Sequence, residues 1–135
     1  MSHPRAIDHE AVYPHSPERV WRALVDADEL AEWLMPTDFA PELGRRFVLE
    51  TGDAHIGTIE GEVLEIDAPR RLRCRWSGGF GDTEVSFVLT PDGDGTRLRV
   101  HHDGFVAPGP DREGFDEGWK QKLDEELPRV LGPTD

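Results

Sequence analysis

The adjacent pair His101 and His102, followed at once by Asp103, is the stretch that most invites a chemical reading. Imidazoles and carboxylates are zinc donors, and a histidine is the side chain that exchanges protons near neutral pH. The spacing argues against a metal. TRLRVHHD alternates apolar and polar residues as a strand does, and neighbours on a strand point to opposite faces. His102 falls with Leu98 and Val100, His101 with Arg97 and Arg99, so the two rings cannot share one ion while the strand continues. No metal and no cofactor is expected. An apolar setting disfavours the charged form of His102. Two readings follow: a satisfied structural histidine, or a polar anchor or general acid–base group for a bound molecule. It is the one catalytic candidate. His9 can lie near it across a sheet, whereas His3, His15 and His55 are expected in solvent.

Other chemistry finds little support. Cys74 alternates with Leu72 and Trp76, with nothing basic at a spacing that would clearly lower its pKa, and reads as a buried small hydrophobe. The sequence has no G-x-S-x-G, no glycine-rich phosphate loop after a strand and no H-E-x-x-H. Carboxylates abound, but on faces that alternation assigns to solvent. With 28 acidic against 15 basic side chains, the formal charge is −13, which repels phosphate backbones and anionic bilayers. Neither nucleic acid nor membrane is an expected partner. The opening MSHPRAIDHE lacks the basic start and apolar middle of a signal peptide, and no apolar run approaches the roughly 20 residues of a membrane span, so a cytoplasmic location is expected.

The elements that must position these residues follow from periodicity. Arg5 to Val12 reads as a strand with Ile7, His9 and Ala11 on one side. Ser16 as N-cap and Pro17 at the first helical position start a short helix with Val20, Trp21, Leu24 and Val25 along one stripe. Asp26 and Glu29 resemble a capping box for a second helix burying Leu30, Trp33 and Leu34, which must stop by Met35 because Pro36 disfavours the α conformation before it. From Phe47 the period falls to two, in RFVLE, GTIEGEVLEI, RLRCRW, TEVSFVLT and TRLRVHHD, separated by turn signals such as PDGDG. The arginine rows opposite Glu60, Glu62 and Glu84 predict cross-strand ion pairs on a solvated face, not an anion site. A final helix, capped by Asp111, carries Phe115, Trp119, Leu123 and Leu127 every fourth residue. Gly114 and Gly118 weaken it by about 1 kcal/mol each relative to alanine. They stand beside Phe115 and Trp119, where missing side chains either allow close approach to the sheet or leave room for something else.

Taken in order, SPERVWRALVDADELAEWLMP, the entry GRRF, APRRLRCRWSGG, TPDGDGTRLRVHHDGF and GFDEGWKQKLDEEL resemble stand-alone members of the SRPBCC superfamily, which includes START domains and the birch-pollen allergen. The nearest group in this likeness is the one named after the C-terminal domain of the heat-shock-protein-90 ATPase activator. The resemblance runs from about Ile7 to Leu131. It implies an α+β helix-grip fold in one domain spanning 1–135: a curved antiparallel sheet of about seven strands wrapped around a long C-terminal helix, with two short helices after the first strand. It also implies a deep cavity between sheet and helix. Carried onto this sequence, the cavity side holds Trp33, Met35 and Phe39 from the proline-broken segment, and Phe47, Trp76, Phe87 and His102 from the sheet. Phe115, Gly118 and Trp119 come from the helix.

Three functions are consistent with that resemblance. The leading one is non-catalytic binding of a small, largely hydrophobic molecule, with His102 and the indole nitrogen of Trp76 or Trp119 as polar anchors. The second is a cyclase, hydratase or isomerase with His102 as acid or base. The third, from the family name, is co-regulation of the heat-shock-protein-90 chaperone. Core filling is the competing account of the aromatic residues. The stretch from Met35 to Phe39 is expected to form a wall or lid of the cavity, and the exposed edge beside the first strand can pair two copies into a homodimer.

Overall fold

The computed structural model describes residues 6–54, 56–105 and 110–133, the side chains of 110 and 111 excepted. Strand β1 (Ile7–Tyr13) leads into helices α1 (Pro17–Val25) and α2 (Ala27–Trp33). Both starts follow their caps: the Ser16 side chain accepts from Arg19 N–H, and that of Asp26 from Asp28 and Glu29 N–H. Strands β2 (Arg46–Glu50), β3 (Thr58–Asp67), β4 (Arg71–Gly78), β5 (Gly81–Asp92) and β6 (Gly95–Asp103) follow, each antiparallel to the next. β1 closes on β6, giving the order β1-β6-β5-β4-β3-β2. The arrangement is the α+β helix-grip fold, the sheet curving around the C-terminal helix.

Six strands form this sheet among the described residues, where about seven were expected. The run between Pro36 and Pro41 reaches β2 only as a single bridge, Thr37 to Leu49. Prolines lack the N–H a ladder needs, so the bridge does not extend into a strand. The alternation itself holds along the sheet except at a bulge in β3, where the register with β4 shifts between Val63 and Glu65. Ile59, Val63, Leu72, Cys74, Val85, Phe87, Leu98 and Val100 are buried on the helix side. On the other face Arg73 pairs with Glu84 at 2.7 Å, Arg75 with Glu62 at 2.7 Å and Arg99 with Asp8 at 2.9 Å. These are the solvated cross-strand pairs that alternation predicts.

The C-terminal helix runs as α3 (Pro110–Gln121), a π turn (Lys122–Glu126) and α4 (Leu127–Leu131). It begins one residue ahead of the expected cap Asp111, whose side chain lies outside the described residues. The π turn has a local cause. Leu127 N–H donates to Lys122 O, five residues back. In that register the next donor would be residue 128, whose partner would be Leu123 O, but Pro128 has no N–H. The Tyr13 hydroxyl donates to Leu123 O instead, at 2.7 Å. A buried carbonyl orphaned by proline is thereby satisfied from β1, tying the first strand to the last helix.

His15, expected in solvent, is buried at 1% exposure, its Nε2 3.0 Å from Gly132 O. The turn after β1 packs under the end of α4, which sequence spacing does not reveal. His3 and His55 lie outside the described residues. No helix among those residues is long and apolar enough to cross a membrane.

Candidate functional site

His102 is fully buried on β6, and its surroundings account for both ring nitrogens. Trp119 on α3 donates its indole N–H to His102 Nδ1 at 3.1 Å, so Nδ1 carries no proton. The proton therefore sits on Nε2, which faces Thr83 Oγ1 at 2.8 Å. Thr83, opposite Trp76 in the β4–β5 register, passes its own hydroxyl proton to Trp76 O at 2.9 Å. Every donor in this relay has an acceptor. Burial, aided by the nearby His101, pushes the His102 pKa down to about 3. The ring is neutral near pH 7 and has no spare nitrogen for a ligand, as a structural histidine would be. His9 lies two residues from its register: Ile7 stands opposite His102, and His9 Nε2 meets Asp116 Oδ1 at 2.7 Å.

In front of this relay a cleft of about 230 Å³ opens between α3 and the end of the sheet. Trp76 and Trp119 stack at 5.5 Å, with rings inclined by 25°, and Phe115 leans on Trp76 at 6.4 Å. Leu34 and Met35, at the end of α2, face them, and Thr51, Asp53 and Ile56 from the β2–β3 loop form the rim. Gly114 and Gly118 complete the helix wall. A methyl group built on either glycine would meet nothing within 4 Å. The glycines are therefore not there to bring helix and sheet together; of the two alternatives left by the sequence, the space beside them is open. Lys122, three residues after Trp119 and on the same helix face, supplies the one basic side chain among the described residues that line the cleft.

The predicted site residues divide into two groups. Met35, Trp76, Phe115, Gly118 and Trp119 line the cleft. Trp33, Phe39, Phe47 and Phe87 are core, at 7% exposure or less. The Trp33 indole donates to Ala23 O at 2.7 Å, and Phe39 meets Phe47 edge-on at 5.0 Å. The Phe47 ring fills the place where Gly61 would carry a side chain. What remains of the interior behind Trp76 is about 20 Å³, room for about one water. The deep cavity implied by the resemblance is filled in this chain.

The segment after Pro36 is held to β2 and leaves the cleft wall to Leu34 and Met35. Glu50 N–H donates to Pro36 O at 3.0 Å, and Val48 N–H to Asp38 Oδ1 at 2.8 Å. Sequence reasoning missed Lys122 because it followed the apolar stripe every fourth residue; the signal was its i+3 spacing from Trp119. The rim residues Thr51, Asp53 and Ile56 gave none, being placed by loop geometry. Cys74 is buried and its thiol is pushed up to about 12 by desolvation, so it stays protonated near pH 7.

The family model described as Activator of Hsp90 ATPase homolog 1-like protein matches residues 14–132. Among solved structures, protein MLL2253 of Mesorhizobium loti is 33% identical, with 96% of this chain and 98% of that one covered and a TM-score of 0.83. CalU16 of Micromonospora echinospora is 26% identical, covering 98% of this chain and 82% of its own, with a TM-score of 0.79. The Aha1 dimer of Colwellia psychrerythraea shares the fold at 19% identity, with 93% and 96% covered and a TM-score of 0.80. No curated protein matches the chain.

Proposed function

The chain belongs to the family of Activator of Hsp90 ATPase homolog 1-like proteins, and from that premise and the shape of its cleft we propose that it binds a small, largely apolar molecule between α3 and the sheet. The observation that carries this reading is the pair Gly114 and Gly118. Each weakens the helix by about 1 kcal/mol relative to alanine, yet neither is required by packing, since a side chain at either would meet open space. What the glycines provide is room, directly beside the aromatic wall of Trp76, Phe115 and Trp119. Two of the polar anchors first expected do not serve, because His102 and the Trp119 indole are spent on each other; the Trp76 indole is the one that remains. The same engagement argues against His102 as an acid or base.

Occupancy of the cleft touches two stacked tryptophans, so a saturable change in tryptophan emission on titration with one-ring apolar compounds is the expected result. Gly118→Leu, which fills the cleft, should abolish the response while the protein stays folded. A wild-type protein silent across such a panel, and carrying no bound mass in native mass spectrometry, would sink the proposal.

A second reading, contact with the chaperone, is favoured by the family match alone. It predicts stimulation of heat-shock-protein-90 ATPase activity by the purified chain, and an unaltered rate would dismiss it. The Colwellia relative is a dimer; in this chain the edge of β1, where Val12 is 54% exposed, is the surface offered for pairing two copies, and sedimentation checks it.

A further inference from the structure

Resting on the cleft reading above, we infer that the molecule bound there is a one-ring carboxylic acid whose carboxylate pairs with Lys122. Lys122 lines the cleft, is partly buried and makes no ion pair or hydrogen bond among the described residues. That sets it apart from the arginines of β4 and β6, where Arg71, Arg73, Arg75, Arg97 and Arg99 each meet an acidic side chain.

Four residues on from Lys122 stands Glu126, the spacing at which a lysine and a glutamate ordinarily meet along an α-helix. Here the intervening residues form a π turn, with Leu127 N–H bonded back five residues to Lys122 O. Glu126 turns instead to Arg129, with Nη1 at 2.7 Å from Oε1. The ammonium is left in the cleft wall with its desolvation only partly offset by Glu126. Consistent with this, burial lowers the Lys122 pKa, against a smaller upward pull from Glu126. An incoming carboxylate would relieve that cost, and with a half-buried ammonium the pairing is charge-assisted.

The opposite rim carries Asp53, but its Oδ1 is taken by Ile56 N–H at 3.1 Å and the residue is exposed to solvent. Its charge is screened more than that of the partly buried Lys122. The formal charge of −13 gives the chain no general attraction for anions, so selection for an acid has to come from this one side chain. Size sets the rest of the ligand. An apolar cavity of about 150 Å³ holds benzene, so a cleft of about 230 Å³ takes one ring and a short acidic arm, and not a fused-ring or sterol body.

The test compares phenylacetate with phenylacetamide, its neutral counterpart of the same shape, by following the amide signals of Gly114 and Gly118 and the Trp76 indole N–H in ¹H–¹⁵N spectra. Wild type should bind the acid at least about tenfold more tightly than the amide, and Lys122→Met should equalise the two without lowering the urea midpoint. Equal binding of acid and amide by wild type, or a preference that survives in Lys122→Met, overturns the carboxylate inference and leaves the cleft reading standing. Absence of any shift at these signals with both compounds overturns both. A preference lost in Lys122→Met but retained in Lys122→Arg confirms that the charge, and not the chain length, selects the acid.

Discussion

Lowering the pH from 6.5 to 4.5 should destabilise this protein by about 2 kcal/mol through His102 alone. In the unfolded chain the ring titrates near the ordinary 6.5, and in the folded one at about 3. Between those values the unfolded state takes up a proton that the native state refuses. Stability attached to the neutral ring is therefore complete above pH 6.5 and is lost as the pH falls toward 3, at up to about 1.4 kcal/mol per unit. Two units, less the half-protonation already present at pH 6.5, give the figure quoted, and any native pKa well below 4.5 gives the same one. Asp8, for which hydrogen bonds from Arg99 and His101 outweigh desolvation and hold the carboxyl below its usual value, adds its own loss at lower pH. The assay is urea unfolding by tryptophan fluorescence at pH 6.5 and 4.5, on wild type and His102→Gln. The amide can accept from Trp119 and donate to Thr83 but cannot titrate, so its pH difference should be smaller by about 2 kcal/mol. Equal differences in the two proteins would show that the native ring accepts a proton inside the fold. The relay from Trp119 through His102 to Thr83 would then not hold it neutral, and a role in acid–base chemistry would return.

Gly118→Ala should raise stability by about 1 kcal/mol, read as a higher urea midpoint, because its methyl meets open space and the helix gains a better former. A lower midpoint would mean that the glycine is packed and the cleft argument unsound. Tyr13→Phe removes the donor to Leu123 O and should cost about 1–3 kcal/mol. Pro128→Ala restores a backbone N–H for that carbonyl, so the tyrosine substitution should cost measurably less in its presence. Strictly additive losses would show that the proline is not what leaves Leu123 O in need. Lys122→Met, which removes an unpaired and partly buried ammonium, should raise the urea midpoint; a fall would reveal a partner for Lys122 in the folded protein.

The frame of the molecule was legible in the sequence because alternation and helical spacing respond to burial, and burial is what the frame is made of. Leu72, Cys74 and Trp76 face inward and Arg71, Arg73 and Arg75 outward as their order demands. The caps at Ser16 and Asp26 work as their chemistry says. The site was legible only in part. Trp76 and Phe87 both point inward on neighbouring strands, but Trp76 reaches the cleft while Phe87, four residues along the register, lines the filled interior. Depth along a sheet is set by curvature and by which loop covers which end, and periodicity carries neither. His15 shows the same gap: a polar residue in a turn reads as solvated until the end of α4 is seen to lie across it.

The filled interior decides what kind of binding is open to this chain. Between Phe39, Phe47 and Phe87 only about 20 Å³ remain, so a ligand seated deep between sheet and helix would have to displace packed aromatic rings. Truncating such a ring typically costs about 3–5 kcal/mol, and displacing it without a substitute contact would forfeit a comparable amount from any binding energy. The cleft demands no such rearrangement: its walls are already largely apolar, its glycines leave the space open, and Lys122 makes no ion pair among the described residues. A large ligand is thus disfavoured by the core itself, while a small one meets a preformed seat, and selectivity passes from the aromatic interior to the short helical stretch from Gly114 to Lys122. Phe47→Ala separates the two sites. It should enlarge the space behind Trp76 and destabilise the fold by about 3–5 kcal/mol without altering the affinity of the cleft for a one-ring acid, and a parallel loss of that affinity would place the ligand in the interior after all.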